Sequence, residues 1–333
     1  LTLGAVNLDD PGFAPARARL QRFLDGGREG EMAFLTRTRE VRSDPAQMLD
    51  GGQSVLVGVV PYRGEATPVA RYAQAADYHT VIHQRLLDLA KRVEADLPGV
   101  GSLVCVDTKP LLERAAAVLA GLGFLGKNGC LIVPGLGSYV LIGALMLDAR
   151  FVGSDRAPLW ARRGEVPWDA CGSCTRCLDG CPSDAFESVG ELDPRRCISY
   201  LTIEHRGPID EELRMATGER IAGCDLCQEV CPYNAAPGRE ERVADEVWLP
   251  PPPGRERIVD LPKLAMVGNN QHRAFVKKTA LNRIPRRSLR RNAIIALANR
   301  SGPMNEAERA SLELAAADEQ LGDLARWAIA RRS

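Results

Sequence analysis

Residues 171 to 182 read C-G-S-C-T-R-C-L-D-G-C-P, a C-x2-C-x2-C-x3-C-P run that gathers four thiols in one tight loop. This is the bacterial ferredoxin spacing, in which three thiolates wrap one [4Fe-4S] cube and the fourth, followed by proline, reaches a second cube. A second set comprises Cys197, Cys224, Cys227 and Cys231 followed by Pro232, its leading cysteine moved 27 residues upstream. Exchanging the terminal cysteines gives two full sites: Cys171, Cys174, Cys177 and Cys231 for one, and Cys181, Cys197, Cys224 and Cys227 for the other. Structural zinc also uses C-x2-C pairs, but four cysteines at this spacing and two Cys-Pro junctions favour iron and sulfur. Every iron of two cubes is then ligated, so the module relays single electrons and the substrate chemistry belongs elsewhere. Cys105 and Cys130 sit in apolar strand contexts and are expected to pack as small hydrophobes.

Other residues present weaker signals. Asp107 follows an apolar stretch in V-D-T-K-P, where it could meet a ligand at a strand end or cap a helix beginning near Pro110. His79 and His83 are spaced as in H-E-x-x-H, but Thr80 stands at the general-base position, which favours a surface or capping role. Asp77 and His79 also give half of a cobalamin-ligating D-x-H-x-x-G signature, yet Ile82 replaces its glycine and removes His79 as a lower cobalt ligand. The run G-L-G-F-L-G-K at Gly121 to Lys127 imitates phosphate-binding loops. A helix-like segment precedes it and an apolar strand follows, the reverse of what such loops need. Between Gln271 and Arg300 stand Arg273, Lys277, Lys278, Arg283, Arg286, Arg287, Arg290, Arg291 and Arg300 without one acidic residue. Solvated helix faces usually mix signs, so this one-sign stretch points to nucleic-acid phosphates.

The elements that must position these residues fall into three stretches of a 333-residue chain. Lys and Arg total 43 against 43 Asp and Glu, so nothing in the overall charge argues for a polyanionic partner, and 45% hydrophobic content excludes disorder and fibre. No apolar run approaches the roughly 18 residues of a membrane span, and the opening residues Leu1 to Gly4 lack a basic leader. A non-secreted chain has no oxidising compartment, which again makes the CxxC cysteines metal ligands. Because the chain opens on Leu, a trimmed start and a missing short first helix are expected. Up to about residue 150 the pattern alternates: strands at Gln53 to Tyr62, Ser102 to Val106, Cys130 to Val133 and Tyr139 to Leu147, helices at Tyr78 to Leu97 and Leu111 to Ala120. Residues 151 to 168 read as a linker or surface insertion, and Ala235 to Pro253, ending in four prolines, as a stiff exit. The last third is helical, with Ser288 as the expected cap of a helix to Asn299, then Asn305 to Ala317 and Glu319 to Arg331.

With these segments in order, the chain resembles the epoxyqueuosine reductase family, corrinoid iron–sulfur enzymes of queuosine tRNA modification. The resemblance rests on G-x-x-G-E-M-A-F-L at Gly27 to Leu35, R-x-D-P at Arg42 to Pro45, D-Y-H at Asp77 to His79 and V-D-T at Val106 to Thr108. It continues through G-L-G-F-L-G-K-N at Gly121 to Asn128, G-S-Y at Gly137 to Tyr139, R-C-I-S-Y-L at Arg196 to Leu201 and G-C-D-L-C-Q-E-V-C-P at Gly223 to Pro232. R-R-N-A-I-I-A-L-A-N near the end completes a set that spans nearly the whole chain.

The resemblance implies an α+β, multidomain protein: an α/β cobalamin-binding domain over 1–168, a ferredoxin-like two-cluster domain over 169–236 and a helical, HEAT-like tRNA-binding domain over 237–333. It implies cobalamin, held as cob(II)alamin without a histidine ligand and reduced through the two [4Fe-4S] clusters. The reaction is reduction of the epoxide of epoxyqueuosine in a tRNA anticodon to the alkene of queuosine. Asp107 falls on the family's proton donor, and desolvation beside the corrin is expected to raise its pKa. Arg42, Asp107, Leu131, Ile142 and Asp225 are the expected corrin contacts. His205, Arg206, Arg283, Arg286, Arg287, Arg290 and Arg291 are the expected tRNA contacts, the modified base leaving the loop stack to react. An external electron donor such as a flavodoxin or ferredoxin, a cytoplasmic location and a monomeric state complete the expectation. The rival readings are a corrinoid reductive dehalogenase-like reductase, whose relatives carry a twin-arginine leader, and a ferredoxin-type electron-transfer protein, which would hold iron without cobalt.

Overall fold

The computed structural model describes residues 2–152, 169–235 and 259–333. The expected insertion at 151–168, beyond residue 152, and the proline-rich exit through Pro253 lie outside the described residues.

The first stretch runs β1 (Thr2–Asn7), α1 (Ala14–Asp25), α2 (Ala33–Arg37), α3 (Arg39–Ser43), β2 (Ser54–Pro61), α4 (Tyr78–Asp96) and β3 (Ser102–Cys105). It continues with α5 (Glu113–Leu119), β4 (Phe124–Leu125), β5 (Leu131–Ile132) and β6 (Val140–Leu147). Four strands form one sheet in the order β1-β2-β6-β3, and each neighbouring pair is antiparallel. This corrects the α/β expectation for the stretch: the class is α+β. The physical reason is legible in β2, whose Val55, Val57 and Val59 face an apolar cluster with Ala116 and Ala117 of α5. Val60 joins the opposite cluster, with Ile82 and Leu86 of α4. A strand covered on both faces is apolar throughout whichever way its neighbours run, so the sequence pattern cannot report strand direction. Close packing of α4 requires Gly143 in β6, where an added Cβ would lie 2.5 Å from the Ile82 side chain.

The cysteine-rich stretch is built of short pieces: α6 (Arg176–Asp179), β7 (Phe186–Ser188), β8 (Glu191–Leu192), α7 (Ile198–Ile203), α8 (Glu211–Thr217) and α9 (Leu226–Glu229). The one-turn helices α6 and α9, which carry Cys177 and Cys227, pack on each other. Helices α10 (Leu261–Ala265), α11 (Asn269–Val276), α12 (Arg286–Asn299), α13 (Glu306–Ala315) and α14 (Gly322–Arg331) follow. α12 is the hub, with Leu289 and Ala293 to Leu297 fully buried among α10, α14, α7 and α8. Its start corrects the expected Ser288 cap. Pro285 fixes the turn before Arg286, and Ser288 is 3% exposed inside the helix. α13 is capped reciprocally by Asn305 and Glu308, the arrangement that satisfies orphan backbone donors at a helix start. The apolar cluster around α12 runs on without a break to Ile82 of α4 and Val60 of β2. The helical region is thereby joined to α4, which carries Tyr78 and His79, and to the sheet face beneath it. Among the described residues no helix is long and apolar enough to cross a membrane.

Candidate active site and iron–sulfur centre

Asp107 stands just past β3 with φ of 48°, in the left-handed region that non-glycine residues rarely occupy. Its carboxylate accepts a hydrogen bond from Tyr78 Oη at 2.9 Å and lies 3.2 Å from His79 Nε2. His79 Nδ1 is 2.7 Å from Asp77 Oδ1, and the same Asp77 caps α4 through the His79 backbone N–H. The Tyr78 and His79 rings stack at 4.0 Å. Asp107 caps no helix, since α5 begins at Glu113 behind Leu112. Instead its backbone N–H donates to Glu113 Oε1 at 2.8 Å.

The charges follow from this geometry. Burial pulls His79 down, but hydrogen bonds to Asp107 and Asp77 outweigh it and raise the imidazole to about 9. The His79 hydrogen bond holds Asp107 below the usual carboxylate range, against the opposing effect of burial. Among the protein's own groups the bias is toward a charged pair with the proton on the His79 side, whereas the raised Asp107 was expected beside a bound corrin. His79 also loses its expected surface or capping role. Its partner arrives from 28 residues away, which helix spacing alone could not reveal; the adjacent Asp-Tyr-His triplet was the available signal.

Tyr72 marks the middle of the site. Burial raises its phenol, which also feels the charges of Arg283, Asp107, Asp225 and Glu204. Asp225, 7% exposed, accepts the Arg71 backbone N–H at 2.8 Å. Arg71 Nε is buried without a hydrogen-bond partner. Arg42 is desolvated and lies near Glu113 and Asp107, whose charges offset part of that cost. Leu131 is buried, while Ile142 is half-buried against the same apolar cluster.

The thiols fall into two neighbourhoods. Burial, then the adjacent Cys171, Cys231 and Cys174, pushes Cys177 up to about 11. Cys197 is raised by burial and by Cys181, and Cys224 is pushed up to about 11 by burial and, further down, by Cys197. Cys227 in turn feels Cys197 and Cys224. Among the described residues no three such side chains close around a single ion, whereas a four-iron cube takes one thiolate at each separate iron. Cys130 is a half-buried free thiol that lies beside Cys227, a neighbour that lowers it. The glycine-rich run explains why. Lys127 Nζ bonds Gly172 O at 2.6 Å, and Asn128 Nδ2 bonds Cys227 O at 3.3 Å, so this loop straps both cysteine segments to the sheet.

Of the cations expected at tRNA, two are withdrawn by burial. Arg291, 3% exposed, bonds the carbonyls of Leu201, His205 and Gly207. Arg290 bonds Ala265 O at 2.9 Å and Asp318 at 2.7 Å. Both shape the interior, which corrects their assignment to phosphate. Arg286 is half-buried and bonds Val267 O, and the His205 ring is occupied by Glu31 and Pro208 O. Arg206, Arg287 and Arg283 are exposed, the last paired with Glu204 at 2.6 Å. Lys277 and Lys278 are also exposed, and Lys278 O receives the Asp77 N–H at 3.0 Å, which places them at the rim of the Asp107 site.

Two thiol neighbourhoods strapped to a sheet that bears a separate aspartate–histidine–tyrosine site define a two-cluster iron–sulfur oxidoreductase. The model of the 4Fe-4S double cluster binding domain matches residues 170–234, and that of epoxyqueuosine reductase QueG matches residues 42–108. An epoxyqueuosine reductase of Gloeobacter violaceus is 37% identical over 85% of this chain and 87% of its own length. The chain belongs to the epoxyqueuosine reductase family. A solved epoxyqueuosine reductase with a tRNA-Tyr epoxyqueuosine-modified stem loop is 27% identical, with a TM-score of 0.76 over 99% of this chain and 86% of that one. Another, from Bacillus subtilis, has its catalytic aspartate loop swung out of the active site and is 26% identical, with a TM-score of 0.76 over 100% of this chain and 86% of that one.

Proposed function

We propose that Asp107 delivers the proton when this chain reduces epoxyqueuosine in a tRNA anticodon to queuosine. The observation that carries the proposal is the Asp107 carboxylate held 3.2 Å from His79 Nε2 and 2.9 Å from Tyr78 Oη, beside an imidazole that its carboxylate partners raise to about 9. Removing the epoxide oxygen as water consumes two electrons and two protons. The electrons arrive singly through the two [4Fe-4S] sites, Cys171, Cys174, Cys177 and Cys231 for one and Cys181, Cys197, Cys224 and Cys227 for the other, from an external donor such as a flavodoxin or ferredoxin.

Cobalamin fits the site. Both His79 nitrogens are engaged by Asp77 and Asp107, so this imidazole offers cobalt no ligand. Arg71 Nε is a buried donor with its hydrogen unspent, suited to a corrin side-chain amide. Arg42, Asp107, Leu131, Ile142 and Asp225 would line the ring. When bound, cobalamin supplies the reducing electrons at the epoxide carbon. The chain's own residues manage the first proton: His79 Nε2 holds it, Asp107 Oδ2 receives it and passes it to the developing oxyanion, and the Tyr78 hydroxyl steadies the carboxylate between transfers, while the second proton, which lets the oxygen leave as water, is drawn from solvent through the same His79–Asp107 pair.

The proton leaves His79 as pH rises through about 9, so turnover is expected to hold below that pH and fall above it. His79 faces Asp77 on its own helix and Asp107 from the β3 end, with Arg283 acting on Asp107 from the helical region. In Asp77→Asn the imidazole loses one of its two anions, and the alkaline limb should move down by about 1 unit. An alkaline limb that stays fixed in Asp77→Asn would remove His79 from the proton path.

Asp77 and Lys278 join the site to the rim where tRNA would lie, with Arg206, Arg283, Arg287, Lys277 and Lys278 as the phosphate contacts. Arg287→Gln should weaken tRNA binding and lower its salt slope by about 1 without changing the melting temperature. Arg291→Gln should instead cost about 3 kcal/mol of stability, because it strands three buried carbonyls. Thermal melts and salt-dependent binding curves separate the two, and an Arg291→Gln protein of normal stability would contradict the interior role. The finer layout proposed is a cobalamin-binding unit over 1–168, a cluster unit over 169–236 and HEAT-like helix pairs over 237–333, working as a cytoplasmic monomer.

A further inference from the structure

The geometry points to Glu113 as the positioning residue that holds Asp107 in its proton-delivering conformation. The inference rests on Asp107 being the proton donor and adds what keeps it in place. β3 ends at Cys105, so the Asp107 N–H lies beyond the sheet ladder. Val106 and Leu111 are buried at 4% and 3%, whereas residues 107–109 between them are exposed. Thr108 Oγ1 and Lys109 O make only local bonds, to Val106 O at 3.0 Å and from Leu111 N at 2.8 Å. Beside the contacts that Tyr78 and His79 make with the Asp107 carboxylate, the Glu113 carboxyl tethers the backbone here, 2.8 Å from the Asp107 N–H.

That tether bears on direction as well as mobility. At φ of 48° the Asp107 backbone sends its N–H toward α5 and its carboxylate toward Tyr78 and His79 on α4. A left-handed aspartate is disfavoured and persists only where its surroundings over-determine it. Without an acceptor at Glu113 Oε1 the residue can relax to an ordinary φ, which turns the carboxylate off the Tyr78–His79 axis. Burial and the neighbouring Asp107 charge raise Glu113 to about 8. It is largely neutral at pH 7, and its oxygen serves as an acceptor that a glutamine amide reproduces.

The test compares Glu113→Gln with Glu113→Met in the full chain loaded with iron, sulfide and cobalamin. Methionine keeps the length and helix propensity of the side chain while removing the strong acceptor. Glu113→Met should lower kcat by about 10- to 100-fold at unchanged KM for tRNA, and Glu113→Gln should stay within about threefold of the parent. Deuterium exchange of the peptide covering residues 106–112, measured without cofactors, should accelerate in Glu113→Met alone. The inference is overturned if Glu113→Met matches the parent in kcat and exchange, if both variants lose activity equally, or if KM rises in step with a fall in melting temperature. Asp107→Asn run alongside separates the two levels. Full turnover in Asp107→Asn defeats the proton-donor reading itself, whereas a dead Asp107→Asn beside a normal Glu113→Met defeats only the positioning role.

Discussion

Asp107→Asn is expected to lower turnover by about 10²- to 10⁴-fold, the contribution of a well-placed proton donor, while iron content and cobalamin binding stay at parent values. The amide keeps the size of the carboxylate, so Tyr78 Oη retains an acceptor near 2.9 Å. What disappears is the anion that draws His79 up to about 9 and the oxygen that can carry its proton onward. Asp77 still faces the imidazole from the other side, so His79 remains basic but has lost its outlet. Single-turnover assays with pre-reduced protein show the loss most clearly, because they omit the supply of electrons. Undiminished single turnover would leave the left-handed backbone at Asp107 without a catalytic purpose.

The second large effect concerns which cysteines share a cluster. Cys231 follows Cys224 and Cys227 in one short run, and Cys181 follows Cys171, Cys174 and Cys177 in another, so local pairing would close each set on itself. In the folded chain Cys231 feels Cys171, Cys177 feels Cys231 and Cys197 feels Cys181, which favours crossed pairing. Cys231→Ala should therefore hold about four irons in place of about eight. The decisive variant combines Cys171→Ala with Cys231→Ala. Crossed pairing puts both losses in the same cluster, so the double variant keeps the same four irons, whereas local pairing would empty both sites. Effects on one shared element do not add, and that failure of additivity is the readout. Turnover should vanish in every one of these variants, because a relay missing one station passes no electrons.

The cysteine chemistry was legible because ligand spacing within a turn is a local property that the sequence prints directly. Helix α4 was legible for a similar reason: nineteen residues of amphipathic periodicity behind the capping Asp77 leave little choice. Strand direction was not, since β2 and β6 are buried on both faces and read as apolar whichever way they pair. Nor was the fate of the arginines in α12. Arg287 and Arg291 belong to the same cationic run, yet Arg291 turns inward to a carbonyl 90 residues away, and no local feature distinguishes them. His79 was passed over because its meaning lies in Asp107, which the sheet and not the helix brings within reach. The same contact biases Asp107 toward its charged form among the protein's own groups. The resemblance implied an acid raised by desolvation beside the corrin, and among the protein's own groups an imidazole between two carboxylates draws the proton toward itself.

The central claim is tested most directly by nucleoside mass spectrometry of epoxyqueuosine-containing tRNA incubated anaerobically with the reconstituted protein, cobalamin and a low-potential reductant. The account predicts conversion to queuosine with loss of one oxygen atom, dependent on both cobalamin and intact clusters. Unchanged epoxyqueuosine, in the presence of protein holding about eight irons and one cobalamin, would contradict it.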